Sequence, residues 1–242
     1  MKQARILLLQ ARRADDPAKS EEVTSFARRS HISPKQITSH DLLQGPPSLT
    51  EAQTYDAVMV GGAGDFYVSR RDLPGHDPLV EFLGELAQSG TPLFASCFGF
   101  QFLIEALGGK IVFDGEHTEV GTFEMTLTPE GQEDPLFGHL PPTFLAQMGR
   151  KDRAVEDISG IPTLARSSAA PIQAIRVPGQ PVWATQFHPE LDRETNLGRY
   201  TRYLDGYRSV MSEEELQSAL ASFRESPHTM DLLFRFLELV LA

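Results

Sequence analysis

The chain has 242 residues, 40% of them hydrophobic, with 22 Lys and Arg against 33 Asp and Glu for a net charge of −11. This length and apolar content support a substantial core, in one large domain or two small ones, and argue against intrinsic disorder. The acidic balance argues against non-specific nucleic-acid binding, which needs a basic face, and the single cysteine, Cys97, excludes an internal disulfide and any multi-cysteine zinc site.

A lone cysteine suits a reducing compartment. The first apolar run, Ile6 to Leu9, is too short for a signal-peptide core, and Arg235 and Glu238 interrupt the C-terminal apolar stretch. The expectation is a cytoplasmic chain with no membrane segment.

The N-terminal half alternates. Arg5 to Gln10 is a short apolar run of the kind that forms a strand buried on both faces. Pro17 to Arg29 reads as a helix with proline in its first turn. Tyr55 to Val60 is a second strand, leading into a glycine turn, Gly61-Gly62-Ala63-Gly64. Asp77 to Gln88 has helical spacing, with Gly90 as its stop. Pro92 to Ser96 is a third strand, and Phe98 to Leu107 a helix closed by Gly108-Gly109. Strand–helix–strand order implies parallel strands joined by crossover helices, hence an α/β sheet.

Residues 110–187 read as strand-rich, with strands expected at Lys110 to Phe113, Thr122 to Thr128, Thr143 to Gln147, Pro171 to Val177 and Val182 to Phe187. The tail reads as two helices. The first is opened by a capping box at Ser212 and Glu215, with Leu216, Ala219, Leu220 and Phe223 on one face. The second carries Met230, Leu233, Phe234, Leu237, Val240 and Leu241. No strong boundary interrupts the chain, so we expect one domain over 1–205 and a helical extension over 206–242 packed on it; a partner-docking helix is the other reading of the tail.

Cys97 falls where a buried strand becomes a helix, with Ala95 and Gly99 two residues to either side. Small residues at those positions are what a nucleophile elbow requires. A thiol at a helix N-terminus faces unpaired N–H groups and the positive end of the helix dipole, which favour thiolate. An inert buried thiol is the alternative. His188 and Glu190 end another apolar strand, in Gln186-Phe187-His188-Pro189-Glu190. Residues two apart in extended chain point the same way, so the carboxylate can orient the imidazole as a base. His117 and Glu119 share that spacing without other support. The turn at Gly62-Ala63-Gly64 lacks both the P-loop Gly-Lys-Ser/Thr and the dinucleotide fingerprint. It can present a backbone N–H to an oxyanion instead. There is no His-Glu-x-x-His and no cysteine pair, so no metal or cofactor is expected.

In this order, the residues resemble the class I, triad-type glutamine amidotransferases, and within them the glutaminase domain of GMP synthetase and stand-alone γ-glutamyl peptidases. The resemblance runs over roughly residues 5–205. Its specific parts are Ala95-Ser96-Cys97-Phe98-Gly99-Phe100-Gln101, matching the family's Gly-x-Cys-x-Gly-x-Gln except at the first position, and Gln186 to Glu190. It implies a flavodoxin-like, open, mostly parallel sheet flanked by helices. It also implies that Cys97 attacks the γ-carboxamide of glutamine, His188 moves the proton and Glu190 orients His188. Gly62 and Phe98 would supply oxyanion N–H groups, and Gln101, Gly149 and Arg150 would line the substrate site. A γ-glutamyl thioester would form and be hydrolysed. Arg150 stands where members often carry histidine, and Gly62-Ala63-Gly64 where Gly-Pro-Gly is frequent. The implied substrate is glutamine or another γ-glutamyl small molecule, with ammonia released or passed to a separate synthetase subunit; the chain contains no Ser-Gly-Gly-x-Asp-Ser loop of its own. A γ-glutamyl peptidase using the same triad and a non-catalytic binding module remain as alternatives.

Overall fold

A computed structural model describes residues 3–242. The elements follow in chain order as β1 (Ile6–Ala11), α1 (Ala18–Arg29), β2 (Ile37–Asp41), α2 (Leu49–Ala52), β3 (Ala57–Ala63), α3 (His76–Gln88), β4 (Leu93–Ser96), α4 (Phe98–Ala106), β5 (Ile111–Phe113), β6 (Glu119–Leu127), α5 (Pro129–Glu133), β7 (Thr143–Arg150), β8 (Asp152–Ala154), β9 (Thr163–Arg166), β10 (Ala174–Val177), β11 (Val182–Thr185), α6 (Arg193–Arg202), α7 (Leu204–Arg208), α8 (Glu213–Ser222) and α9 (Leu232–Val240).

Nine strands form one open sheet in the order β2-β1-β3-β4-β11-β10-β9-β6-β7. The first five are parallel neighbours; β10 and β6 alone run against the rest, so the sheet is mostly parallel, as expected. A two-stranded ribbon, β5 with β8, lies apart. No helix among the described residues is long and apolar enough to cross a membrane.

Alternation places the core on both faces of the sheet. Leu7, Leu9, Val58, Val60, Leu93 and Ala95 face α3 and α4. Ile6, Leu8, Met59, Phe94 and Trp183 face α1 and α9. A third cluster joins Val120 on β6 to Tyr200, Tyr207, Leu216 and Phe223 from α6 through the end of α8.

Several elements depart from the expectations. β2 carries no strand signal, because an edge strand of Ile37-Thr38-Ser39-His40-Asp41 buries only Ile37. β8, β9 and α5 are too short to show a period. β3 runs on through Gly61 and Gly62, which have no positive φ, so these glycines belong to a strand rather than a turn. The Ser212–Glu215 capping box forms, but Leu220 on α8 faces solvent, 47% exposed. On α9 Leu233 and Leu237 are buried as expected, together with Leu232 and Phe236, whereas Met230, Phe234, Val240 and Leu241 are only half-buried.

Gly99 shows why the elbow needs a small residue. A Cβ there would lie 2.6 Å from Val60 Cβ and 3.0 Å from Val60 O, because α4 packs directly on β3. We expect Gly99→Ala to lower folding stability by about 1–3 kcal/mol through overpacking, read as a shift in urea midpoint at unchanged slope; an unchanged midpoint would show that the helix can move off the strand.

Candidate functional site

Cys97 sits between the last residue of β4 and the first of α4, with φ 51° and ψ −100°. That left-handed backbone is uncommon for any residue but glycine and stores local strain. The turn is held from the neighbouring strand: Cys97 N–H donates to Thr185 O at the end of β11 (2.8 Å). The chain leaving β11 then carries Gln186, Phe187 and His188 over the sheet, and His188 N–H is fixed by Gln147 O of β7 (2.9 Å). Parallel pairing of β4 with β11 therefore brings together two segments about ninety positions apart.

The side chains meet. His188 Nδ1 lies 2.7 Å from Glu190 Oε1, which leaves Nε2 for the thiol, and Cys97 and the imidazole line the same cavity and interact electrostatically. Cys97 and His188 are buried, and Glu190 is 0% exposed. Burial by itself lowers the His188 pKa; the charges and hydrogen bonds of Cys97 and Glu190 outweigh it and raise the pKa to about 10. Burial likewise pushes Glu190 up, but His188 and Arg199 pull it down to about 2.

Sequence reasoning did not single out what surrounds Glu190. Arg199 of α6, itself buried, places Nη1 3.4 Å from Glu190 Oε1 and Nη2 3.7 Å from Glu22 of α1. Glu22, 0% exposed, also accepts from Arg12 (2.8 Å), from Gln10 Nε2 (2.9 Å) and from the Gly62 N–H (3.2 Å). The N–H expected to serve an oxyanion is thus bound to a carboxylate in this structure. Gly62 is small for a different reason: a Cβ there would lie 3.0 Å from His188 Cε1. Phe98, the other expected donor, opens α4, where the first N–H groups have no intrahelical acceptor.

A cavity of about 340 Å³ opens over Cys97 and His188, and Gln101, Gly149 and Arg150 line it. Gln101 is tied into the scaffold, its Nε2 donating to Asp152 O and Gln186 Oε1 (both 3.1 Å). Arg150 is buried and forked onto Glu119, with Nη1 unpartnered among the described residues. Glu119 also accepts from Ser167 (3.0 Å) and Gln173 (2.9 Å), which explains why these segments accompany the arginine. His117, by contrast, points to Asp114 at the surface. The far wall comes from α7, through Gly206 and Tyr207. Its signal was the spacing of Tyr200, Tyr203 and Tyr207, an aromatic stripe at helical intervals.

The sequence model of the family described as "Glutamine amidotransferase class-I" matches residues 23–202. The chain is 30% identical over 166 residues to a GMP synthase (glutamine-hydrolyzing) of Thermosipho melanesiensis, covering 69% of this chain and 29% of that one. It is 33% identical over 107 residues to the same-named protein of Agathobacter rectalis, covering 44% and 20%. The match thus spans less than a third of the length of these relatives. Among solved structures, a glutamine amidotransferase of Thermotoga maritima superposes with a TM-score of 0.73 at 17% identity, covering 100% and 99% of the two chains. One from Methylobacillus flagellatus gives 0.69 at 14% identity, covering 98% and 95%. These likenesses concern the fold; the sequence match over 23–202 settles the family, and the chain belongs to the class I glutamine amidotransferases.

Proposed function

We propose that the chain hydrolyses the γ-amide of glutamine through a Cys97–His188–Glu190 triad. The observation that carries the proposal is a buried thiol on a strained strand–helix elbow, lining one cavity with an imidazole that a fully buried carboxylate holds. His188 takes the thiol proton of Cys97 and keeps it, its pKa being raised to about 10. Cys97 sulfur attacks the δ-carbon of glutamine, and the carbonyl electrons move onto oxygen. The Phe98 N–H, at the positive end of α4, faces that charge; Gly62 can join only if Glu22 releases it. Collapse breaks the C–N bond, and His188 delivers its proton so that ammonia leaves. The resulting γ-glutamyl thioester is cleaved by water, with His188 as base, to give glutamate and the free thiol. The ammonia is released or passed to an acceptor on a separate synthetase subunit.

A second reading uses the same residues on a γ-glutamyl peptide bond, with an amine leaving. Arg150 favours it: a buried arginine pinned by Glu119 occupies the place where members often have histidine. Ammonia release from glutamine, set against amine release from γ-glutamyl dipeptides, separates the two.

On either substrate, Cys97→Ala should abolish turnover, and Glu190→Gln should lower kcat by about 10²- to 10⁴-fold. Cys97→Ala as active as wild type would end the proposal. Because the His188 pKa is raised, its imidazole should stay protonated well above the ordinary value near 6.5, up to about 10. In ¹⁵N NMR the titration midpoint should fall in Cys97→Ala and in Glu190→Gln, since each change removes a partner that raises the His188 pKa. A midpoint that does not move would show that these partners do not set the proton's place.

A further inference from the structure

We propose that Lys151 and Tyr207 together receive the α-carboxylate of the γ-glutamyl substrate, so that the segment 203–208 selects substrates with that carboxylate free. The inference rests on the hydrolase reading for the identity of the substrate, and on the cavity for its own geometry.

The cavity has an uneven supply of charge. Four arginines reach it, and each already has a carboxylate: Arg12 and Arg199 have Glu22, Arg150 has Glu119, and Arg202 has Glu21. The acids on its wall are engaged as well. Asp152 accepts from Ser69 N–H (2.9 Å) and Oγ (2.7 Å), Asp65 pairs with Arg13, and Asp205 pairs with Arg208. Lys151 is the lining cation with no carboxylate partner among the described residues. Its Nζ donates to Tyr67 Oη and to Gly206 O, both at 2.8 Å. An ammonium has three donors, so one remains.

Tyr207 supplies the second half. It is only 8% exposed and lines the same cavity, and its hydroxyl has no hydrogen-bond partner among the described residues. Burial, with Cys97 nearby, pushes its pKa up, so it remains a donor. Lys151 Nζ lies 4.8 Å from the centre of the Tyr207 ring. The Tyr207 hydroxyl and His188 Nε2 approach one point beside Gly149, to 3.4 and 3.8 Å. The phenol, the lysine and the imidazole therefore share one wall, and a carboxylate can accept from the first two while a short aliphatic spacer carries the amide to Cys97. A side chain at Gly149 would intrude there, which fits the glycine.

The cap is held in place from both sides. Tyr203 donates to Asp16 (2.7 Å) and accepts from Arg12 (2.9 Å), and its ring lies over Gly64, where a Cβ would come within 2.7 Å. Lys151 holds the opposite side through Gly206. Residues 203–208 lie just beyond the range 23–202 that the family model matches.

The test uses the full chain with Cys97→Ala, titrated calorimetrically with L-glutamine and with 4-aminobutanamide, which is glutamine without its α-carboxylate. Adding Lys151→Met or Tyr207→Phe should weaken L-glutamine binding about tenfold or more, and leave the weaker binding of 4-aminobutanamide unchanged. Lys151→Arg should recover most of the loss. Equal losses for both ligands would mean that the residues only hold the cap in shape, and would overturn the proposal. So would no loss, or no binding of L-glutamine to Cys97→Ala. Ammonia release by the wild-type chain is measured separately: selective binding without turnover keeps the receptor and fails the hydrolase, and turnover without selective loss does the reverse.

Discussion

A carboxylate with no access to water governs the site. Stripping Glu190 of solvent costs several kcal/mol unless charges and donors replace the water. His188 and Arg199 supply those replacements, and each is itself buried and must be balanced in turn. Arg199 reaches Glu22, Glu22 reaches Arg12, and Arg12 reaches Tyr203 and Asp16. One buried charge thereby recruits α1, α6 and the end of β3 into a single network. Such a network is weak evidence for stability, because breaking one member leaves the next uncompensated. It is a strong constraint on position, since each group has few geometries that satisfy its neighbours.

The elbow at Cys97 answers to the same frame. Its left-handed backbone persists because the surroundings over-determine it: Gly99 lets α4 sit against Val60, and the Cys97 N–H is committed to β11. Strain at the thiol and burial of the carboxylate are both local costs carried by a sheet whose central strands are buried on both faces. A rigid parallel sheet suits this task, because strand ends define positions to within the pleat.

Glu22 occupies the Gly62 N–H that the family resemblance assigns to an oxyanion, so the resting site holds that donor on a carboxylate. In the same cavity as the thiol, Tyr207 of α7 contributes a phenol and Lys151 of the β7–β8 turn an ammonium without a carboxylate partner among the described residues. The two features lie on different walls: one tunes where charge can develop during reaction, and the other addresses which molecule can enter.

The sequence alone determined the alternation of buried strands and helices, the elbow at Cys97 and the pairing of His188 with Glu190, because all three are written in short-range spacing: continuous apolar runs, small residues two positions either side of a thiol, and two side chains on one face of extended chain. Edge strand β2 and the short β8 and β9 escaped for the same reason, having too little burial or length to leave a period. Gly61 and Gly62 read as a turn because glycine signals both bends and close approach, and only the crowding by Glu22 and His188 tells them apart. The partners of Glu190 lie on α1 and α6, far off in sequence, and Lys151 and Tyr207 meet only where the β7–β8 turn passes beneath α7. Tertiary packing decided these contacts, since a buried charge chooses its partners by distance through the fold, which no local pattern of residues encodes.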